Sequence, residues 1–318
     1  MQRDAKTSLG VTRRQFAGSL AAVASAAWLG SEALSAEESK FPGWIDAHVH
    51  VWTPDTTRYP LDSGYSVANM KPASFTPAEL FAECRPAGVS RIVLIQMSFY
   101  NFDNRYMLDS IAAHPGVFSG VGIVDHRAPD VSEKMRELAD KGVRGFRLHA
   151  RGDAAKSWGD DPGMLKVWQT ASQTGLKVCP LINPSDLPYV DALCAKFPEA
   201  GVVVDHFGRV GISGTIVPEE LDALCRLARF PNVHVKTSAF YALGKKQPPY
   251  KDLRPMIARM IDAFGPQRLM WASDCPYQVQ GIHDYESSIA LIRDHIESLS
   301  QSDRDWILRK TAEQAFFS

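Results

Sequence analysis

Cysteine is scarce in this chain, and what there is lies scattered. Cys84, Cys179, Cys194, Cys225 and Cys275 are odd in number and include no CxxC pair, which argues against a disulfide framework and against a cysteine zinc site. An excess of one charge is missing as well. The 35 Lys and Arg against 36 Asp and Glu leave a net charge of −1, so nothing draws the protein to nucleic acid or to an anionic membrane. No apolar run after residue 40 approaches the length of a membrane span. No internal repeat, low-complexity tract or linker marks a second domain. No GxGxxG turn follows the first apolar strand, so a dinucleotide-type open sheet lacks its phosphate-binding turn.

What is present begins with a leader. Residues 1–36 run from Thr12-Arg13-Arg14-Gln15-Phe16 into a small, apolar stretch rich in alanine, Ala17 to Gly30. Paired arginines before a mildly apolar segment resemble a twin-arginine export signal, with small residues near Ala33 and Ala36 suited to cleavage. The run is too short, and too rich in alanine and glycine, for a membrane anchor. The expectation is a periplasmic or secreted protein that folds before export, with no membrane span in the mature chain.

From residue 43 to residue 317, short β-branched runs alternate with amphipathic ones. The pattern predicts strands at 44–50, 91–97, 118–124, 143–149, 177–182, 202–205, 233–238 and 268–273. It predicts helices at 76–87, 104–114, 131–140, 164–174, 187–196, 218–229, 253–264 and 285–299, and a last one from about 302 to 316. Thr76-Pro77-Ala78-Glu79 carries an N-cap, a first-turn proline and a capping glutamate. Gly88, Gly142 and Gly175 stand where helices should stop. Eight strand–helix repeats over this length match the (β/α)8 TIM barrel, an α/β fold. The segment 53–74, with Pro54, Pro60 and Pro72, is long enough to be a functional loop over the site.

In such a barrel the chemistry gathers at the carboxyl ends of the strands. The first strand ends in Asp46-Ala47-His48-Val49-His50. A side-chain period of two points His48 and His50 the same way and places Asp46 on that face one step deeper. Paired imidazoles offer two nitrogen ligands, or two donors aimed at one oxygen. The second strand leads to Gln96 and Tyr100, and the fourth carries Arg147 and His149 on one face. The sixth ends in Asp205-His206-Phe207-Gly208-Arg209, the seventh in Lys236-Thr237-Ser238, the eighth in Ser273-Asp274-Cys275-Pro276-Tyr277. Each has a bland reading: Asp274 as a helix cap, Arg147 as the ion-pair partner of Asp205 or Asp274, Cys275 as a packed neighbour. His114, His126, His234, His283 and His295 read as structural or solvent-facing, from helix, loop or strand parity.

The runs Ile45 to His50, Asp205 to Arg209 and Trp271 to Pro276 resemble the amidohydrolase superfamily. With Val93 to Gln96 and Asp103 to Leu108, they resemble its amidohydrolase-related, lactonase-like branch. That resemblance implies a distorted barrel hydrolysing a cyclic ester of a small carboxylated or sugar-derived substrate. It implies Asp274 as general base, and His48, His50 and His206 polarising the carbonyl directly or through one metal ion. Arg147, His149, Arg209, Gln96 and Tyr100 would contact substrate, and Tyr277, Trp52 and Tyr59 would wall a small ring. The sequence departs from the two-metal pattern: the fourth strand brings Arg147 and His149 in place of a bridging lysine, and the fifth brings no histidine. Ligand count allows a single zinc or manganese at His48, His50, His206 and Asp274, and equally a metal-free site. The competing readings are a metal-dependent decarboxylase of the same fold and a non-catalytic periplasmic ligand-binding barrel. The partner is a small molecule, and a homo-oligomer is compatible with the composition.

Overall fold

Eight short apolar strands, each followed by a helix or turn, can bury both faces only by pairing in parallel under a layer of helices. A computed structural model shows this arrangement and describes residues 42–318. The expected export segment, residues 1–36, lies outside the described residues. The strands are β1 (Trp44–Val49), β2 (Val89–Ile95), β3 (Phe118–Gly122), β4 (Val143–His149), β5 (Lys177–Leu181), β6 (Gly201–Val204), β7 (Val233–Ser238) and β8 (Leu269–Ala272). They pair in sequence order, all parallel. The seam between β1 and β8 is closed by Asp274 N–H donating to the His48 carbonyl at 2.9 Å and His50 N–H donating to the Cys275 carbonyl at 2.8 Å. The residues expected to carry the chemistry are therefore also the residues that shut the barrel.

The outer helices are α1 (Pro77–Cys84), α2 (Arg105–Ala113), α3 (Val131–Ala139), α4 (Pro162–Thr174), α5 (Leu187–Lys196), α6 (Pro218–Arg226), α7 (Arg254–Phe264) and α8 (Tyr285–Arg293). The Thr76 cap of α1 forms as a full capping box with Glu79. Two expectations need adjustment. The helix expected at 285–299 ends at Arg293, because the Arg304 side chain donates to the carbonyls of Arg293, Ile296 and Leu299 and so satisfies an irregular turn there. The final helix begins at a Ser300–Asp303 capping box and is interrupted by a π-turn, Trp306–Lys310, before α9 (Thr311–Phe316).

Two apolar layers result. A large one fills the space between strands and helices. A smaller one lines the barrel: Ile45, Ala47, Val93, Ile95, Val121, Cys179, Val203, Met270 and Ala272, joined by Ala312, Ala315 and Phe316 of α9. Simple alternation fails on β1. Ile45 and Ala47 face inward, and a register shift between Asp46 and Val49 then interrupts the pairing with β2. An extra residue in one strand switches the face on which later side chains emerge. Asp46 thus belongs to the helix side, not to the face of His48. Its carboxylate accepts from Ser273 N–H (2.9 Å), His48 N–H (3.1 Å) and the Tyr285 hydroxyl of α8 (2.7 Å). Burial pushes it up to about 6, against the lowering pull of Ser273 and Tyr285. His234, read as structural or solvent-facing, is mostly enclosed. It shares the inward parity of Lys236 and Ser238 and sits inside the barrel near Lys177, at the end away from the site.

Candidate active site

The shift on β1 brings the two imidazoles together, with His48 Nε2 and His50 Nε2 3.3 Å apart. Their tautomers follow from their partners. His50 Nδ1 lies 2.9 Å from the Ile95 carbonyl, which can only accept, so the proton is on Nδ1 and Nε2 presents its lone pair. His48 Nδ1 faces Asp205 Oδ1 at 3.2 Å, and Arg147 Nη1 donates toward Nε2 at 3.2 Å. Nδ1 faces both the Asp205 acceptor and the Lys236 ammonium at 3.2 Å, so it is Arg147, which can only donate, that selects the same tautomer at Nε2. Asp274 completes the group: its Oδ1 lies 3.5 Å from His48 Nε2 and 3.4 Å from His50 Nε2. That oxygen is buried and has no hydrogen-bond partner among the described residues.

Three electron-rich atoms therefore converge at 3.3–3.5 Å from one another. With these partners, His48 and His50 turn their Nε2 atoms, as acceptors, toward the site. Such an arrangement asks for a cation. Bonds of about 2.0–2.1 Å to a tetrahedral ion put neighbouring ligand atoms about 3.3 Å apart. His48, His50 and Asp274 therefore fit a single divalent ion. His206 stands outside this group: its Nε2 is 3.7 Å from the other oxygen of Asp274, Oδ2, and its Nδ1 is 2.8 Å from Ser238 Oγ.

A buried charge network supports the group from below. Lys236 and Asp205 are fully buried, with Nζ 3.0 Å from Oδ1, and Nζ also lies 3.2 Å from His48 Nδ1. Asp205 stays ionised because Lys236, His48 and Arg147 together outweigh its burial. Burial, then Lys236 and His206, holds His48 well below the ordinary imidazole range. Burial takes His206 down to about 4 against the pull of Asp274. Burial raises Asp274, yet His206, His50 and His48 hold it below the usual carboxylate range. At neutral pH the site holds an anionic Asp274 carboxylate beside the neutral imidazoles of His48 and His206.

The strand ends that carry these groups adopt costly backbone. His206, Phe207 and Arg209 lie at φ 52, 53 and 60, Ala239 at 55 and Asp274 at 66. Left-handed geometry in non-glycine residues costs about 1–2 kcal/mol each, and it clusters here at the rim of the barrel.

Above the group is a cavity of about 290 Å³ lined by His50, His206 and Asp274, with Gln96, Arg147, His149, Arg209, Tyr241 and Tyr277 on its walls. Met97, Leu181, Ile212 and Leu243 give it an apolar side. Arg209 reaches only Asn183 Oδ1, at 3.3 Å, and has no carboxylate partner among the described residues. Burial, then the nearby Arg147, lowers it. His149 is taken down to about 3 by burial and by Arg147 and Arg151. Gln96 lines the wall, but its amide donates to the Asp103 carbonyl at 2.7 Å. Tyr100 is turned away: its hydroxyl lies against Thr53 and its ring against Phe99 and Tyr106. Trp52 donates to the Pro72 carbonyl and Tyr59 to Asp109, so both brace the long loop and do not wall the cavity. One participant, Tyr241, was missed from sequence, and another, Lys236, was named at its strand end without a role. Lys236 carried only its place at the end of β7. Tyr241 carried no signal, since it follows the left-handed turn at Ala239.

Comparison with known proteins agrees with this geometry. The amidohydrolase family model matches residues 45–317. An L-fucono-1,5-lactonase of Burkholderia ambifaria is 30% identical over 241 residues, covering 73% of this chain and 80% of that protein. A 2-pyrone-4,6-dicarboxylate hydrolase of Comamonas testosteroni is 27% identical over 276 residues, covering 84% and 87%. Among solved structures, an amidohydrolase of Burkholderia multivorans with bound zinc superposes with a TM-score of 0.72 at 23% identity, covering 86% of this chain and 99% of that one. A closed parallel barrel with its histidines and aspartate at the strand ends, and a family match over nearly the whole described chain, place this protein in the amidohydrolase family as a lactonase-like enzyme.

Proposed function

We propose that the protein hydrolyses a small lactone that carries a carboxylate or is derived from a sugar, with Asp274 as general base. The observation that carries this reading is the unpartnered, ionised Oδ1 of Asp274 at the floor of a cavity walled by two guanidinium groups. Asp274 is ready to take a proton from water without first losing one. The water oxygen then adds to the lactone carbonyl. Negative charge gathers on the carbonyl oxygen, where Arg147 supplies a preset positive charge. The anionic Oδ2 of Asp274 favours the His206 tautomer with its proton on Nε2, and Ser238 then donates to Nδ1. His206 can thus donate to the same oxygen or to the ring oxygen as it leaves. Collapse opens the ring, and the proton held by Asp274 passes to the leaving alkoxide. One preset donor of this kind is typically worth about 3 kcal/mol.

His48, His50 and Asp274 would hold a zinc or manganese ion, which when bound supplies Lewis-acid polarisation of the carbonyl. Arg209, lacking an acid partner, suits a substrate carboxylate. The test is a panel containing L-fucono-1,5-lactone and 2-pyrone-4,6-dicarboxylate, followed by acid release, on protein as purified, after chelator, and after zinc or manganese. Turnover of at least one lactone is expected. Binding of panel members without ring opening under every condition removes the proposal.

A further inference from the structure

We propose that Tyr241 is a positioning residue for Asp274: its hydroxyl ties down Oδ2 and thereby fixes Oδ1 as the oxygen that faces His48, His50 and the reacting water. The inference rests on the reading of Asp274 as the base. The Tyr241 hydroxyl donates to Oδ2 at 2.7 Å. Among the described residues, the other groups near this carboxylate are imidazoles that stand farther off. His48 and His50 Nε2 lie 3.5 and 3.4 Å from Oδ1, and His206 Nε2 lies 3.7 Å from Oδ2. The torsion that orients a carboxylate is broad and roughly two-fold, so its own rotamer preference would not hold one oxygen on the site. One strong donor does.

The donor is itself held. The Tyr241 ring lies 6.4 Å from that of Tyr277 at 31° and 6.0 Å from that of His283 at 61°. His283 Nδ1 takes a hydrogen bond from the Tyr250 hydroxyl at 2.9 Å, and that hydroxyl accepts from Gln278 Nε2 at 2.8 Å. Gln278 also donates to the Asp284 carbonyl at 3.0 Å. The chain of contacts joins the turn after β7 to the turn after β8. Ala239, Tyr250 and Asp274 all sit in left-handed backbone, at φ 55, 57 and 66. The Ala239 turn brings Tyr241 back over the barrel mouth. A tyrosine hydroxyl carries its proton at neutral pH, so it serves as the donor.

The experiment compares wild type with Y241F, D274N and the double variant on whichever panel lactone is turned over fastest, and solves the crystal structure of Y241F. A misplaced base costs turnover more than binding, and a displacement of about 1 Å can cost about 100-fold. Y241F should lose about 10- to 100-fold in kcat with KM within about threefold, and should add little to the loss in D274N. The Y241F carboxylate should be rotated, with Oδ1 withdrawn from His50 Nε2. Introducing 4-aminophenylalanine at position 241, which can still donate, should recover most of kcat. Unchanged kcat, a rise in KM alone, multiplicative losses in the double variant, or an unmoved carboxylate would each overturn the assignment. Full activity in D274N would instead remove the base reading itself, and the crystal structure would still decide whether Tyr241 orients the carboxylate.

Discussion

Replacing Lys236 by methionine removes a cation wholly enclosed with Asp205 and leaves nearly the same volume. The Lys236 ammonium is 3.0 Å from Asp205 Oδ1, and both side chains have no exposed surface. Breaking a buried pair by deleting one member typically costs about 3–5 kcal/mol, since the remaining charge is left without compensation. Here Asp205 keeps the His48 Nδ1 proton at 3.2 Å and Arg147 Nε at 3.8 Å. The lower end, about 3 kcal/mol, is therefore expected. At roughly 2–4 °C per kcal/mol for a domain near this size, Tm should fall by about 6–12 °C. The loss should depend on pH with a definite sign. Asp205 is held below its ordinary value in the folded protein, so its contribution is full above the unfolded carboxylate value and fades as pH falls. With Lys236 gone that contribution is smaller, so the two stability curves should draw together below about pH 4. Urea titrations of both proteins from about pH 2.5 to 8 measure this. K236M as stable as wild type at pH 7, or a gap that widens toward acid, would refute the compensation argument.

Two further predictions concern other parts of the molecule. Burial and Lys177 take His234 down to about 4 from an unfolded value of 6.5, so the unfolded chain binds more protons between these limits and stability rises with pH across that window. H234Q should remove at most about 3 kcal/mol of that rise, seen as a shallower slope of unfolding free energy between pH 4 and 6.5; an unchanged slope contradicts it. Arg209 lacks a protein carboxylate partner, so R209Q should raise KM for a carboxylated lactone about 10- to 100-fold, as loss of a charged hydrogen bond implies, and leave an uncharged lactone almost unaffected. Equal effects on both would remove the anion contact.

The parts of this protein that could be read from sequence are those governed by local rules. Strand period and helix stop signals are properties of neighbouring residues, and β4, β7 and α5 fall where expected. The strand-end residues His48, His50, His206 and Asp274 could be collected without coordinates because a barrel gathers all its carboxyl ends at one rim. What escaped depends on contacts far apart in sequence. Asp46 was assigned to the wrong face because a bulge on β1 is set by its pairing with β2. Tyr100 was taken for a site residue, but the 3-10 turn Ser98–Tyr100 buries it beside Thr53. Tyr241 meets Asp274 across 33 positions through a left-handed alanine that no propensity would suggest. Lys236 meets Asp205 inside the barrel, where an unpaired lysine would be too costly to expect.

The most direct measurement is the turnover of Asp274→Asn on a lactone that the wild-type protein opens. The amide keeps the shape and the Tyr241 contact but cannot accept a proton from water. A correctly folded variant, with Tm close to wild type, should lose about 100- to 10,000-fold in kcat, the usual contribution of a positioned base. Turnover within about threefold of wild type would show that proton abstraction lies elsewhere, and the site would need another chemistry.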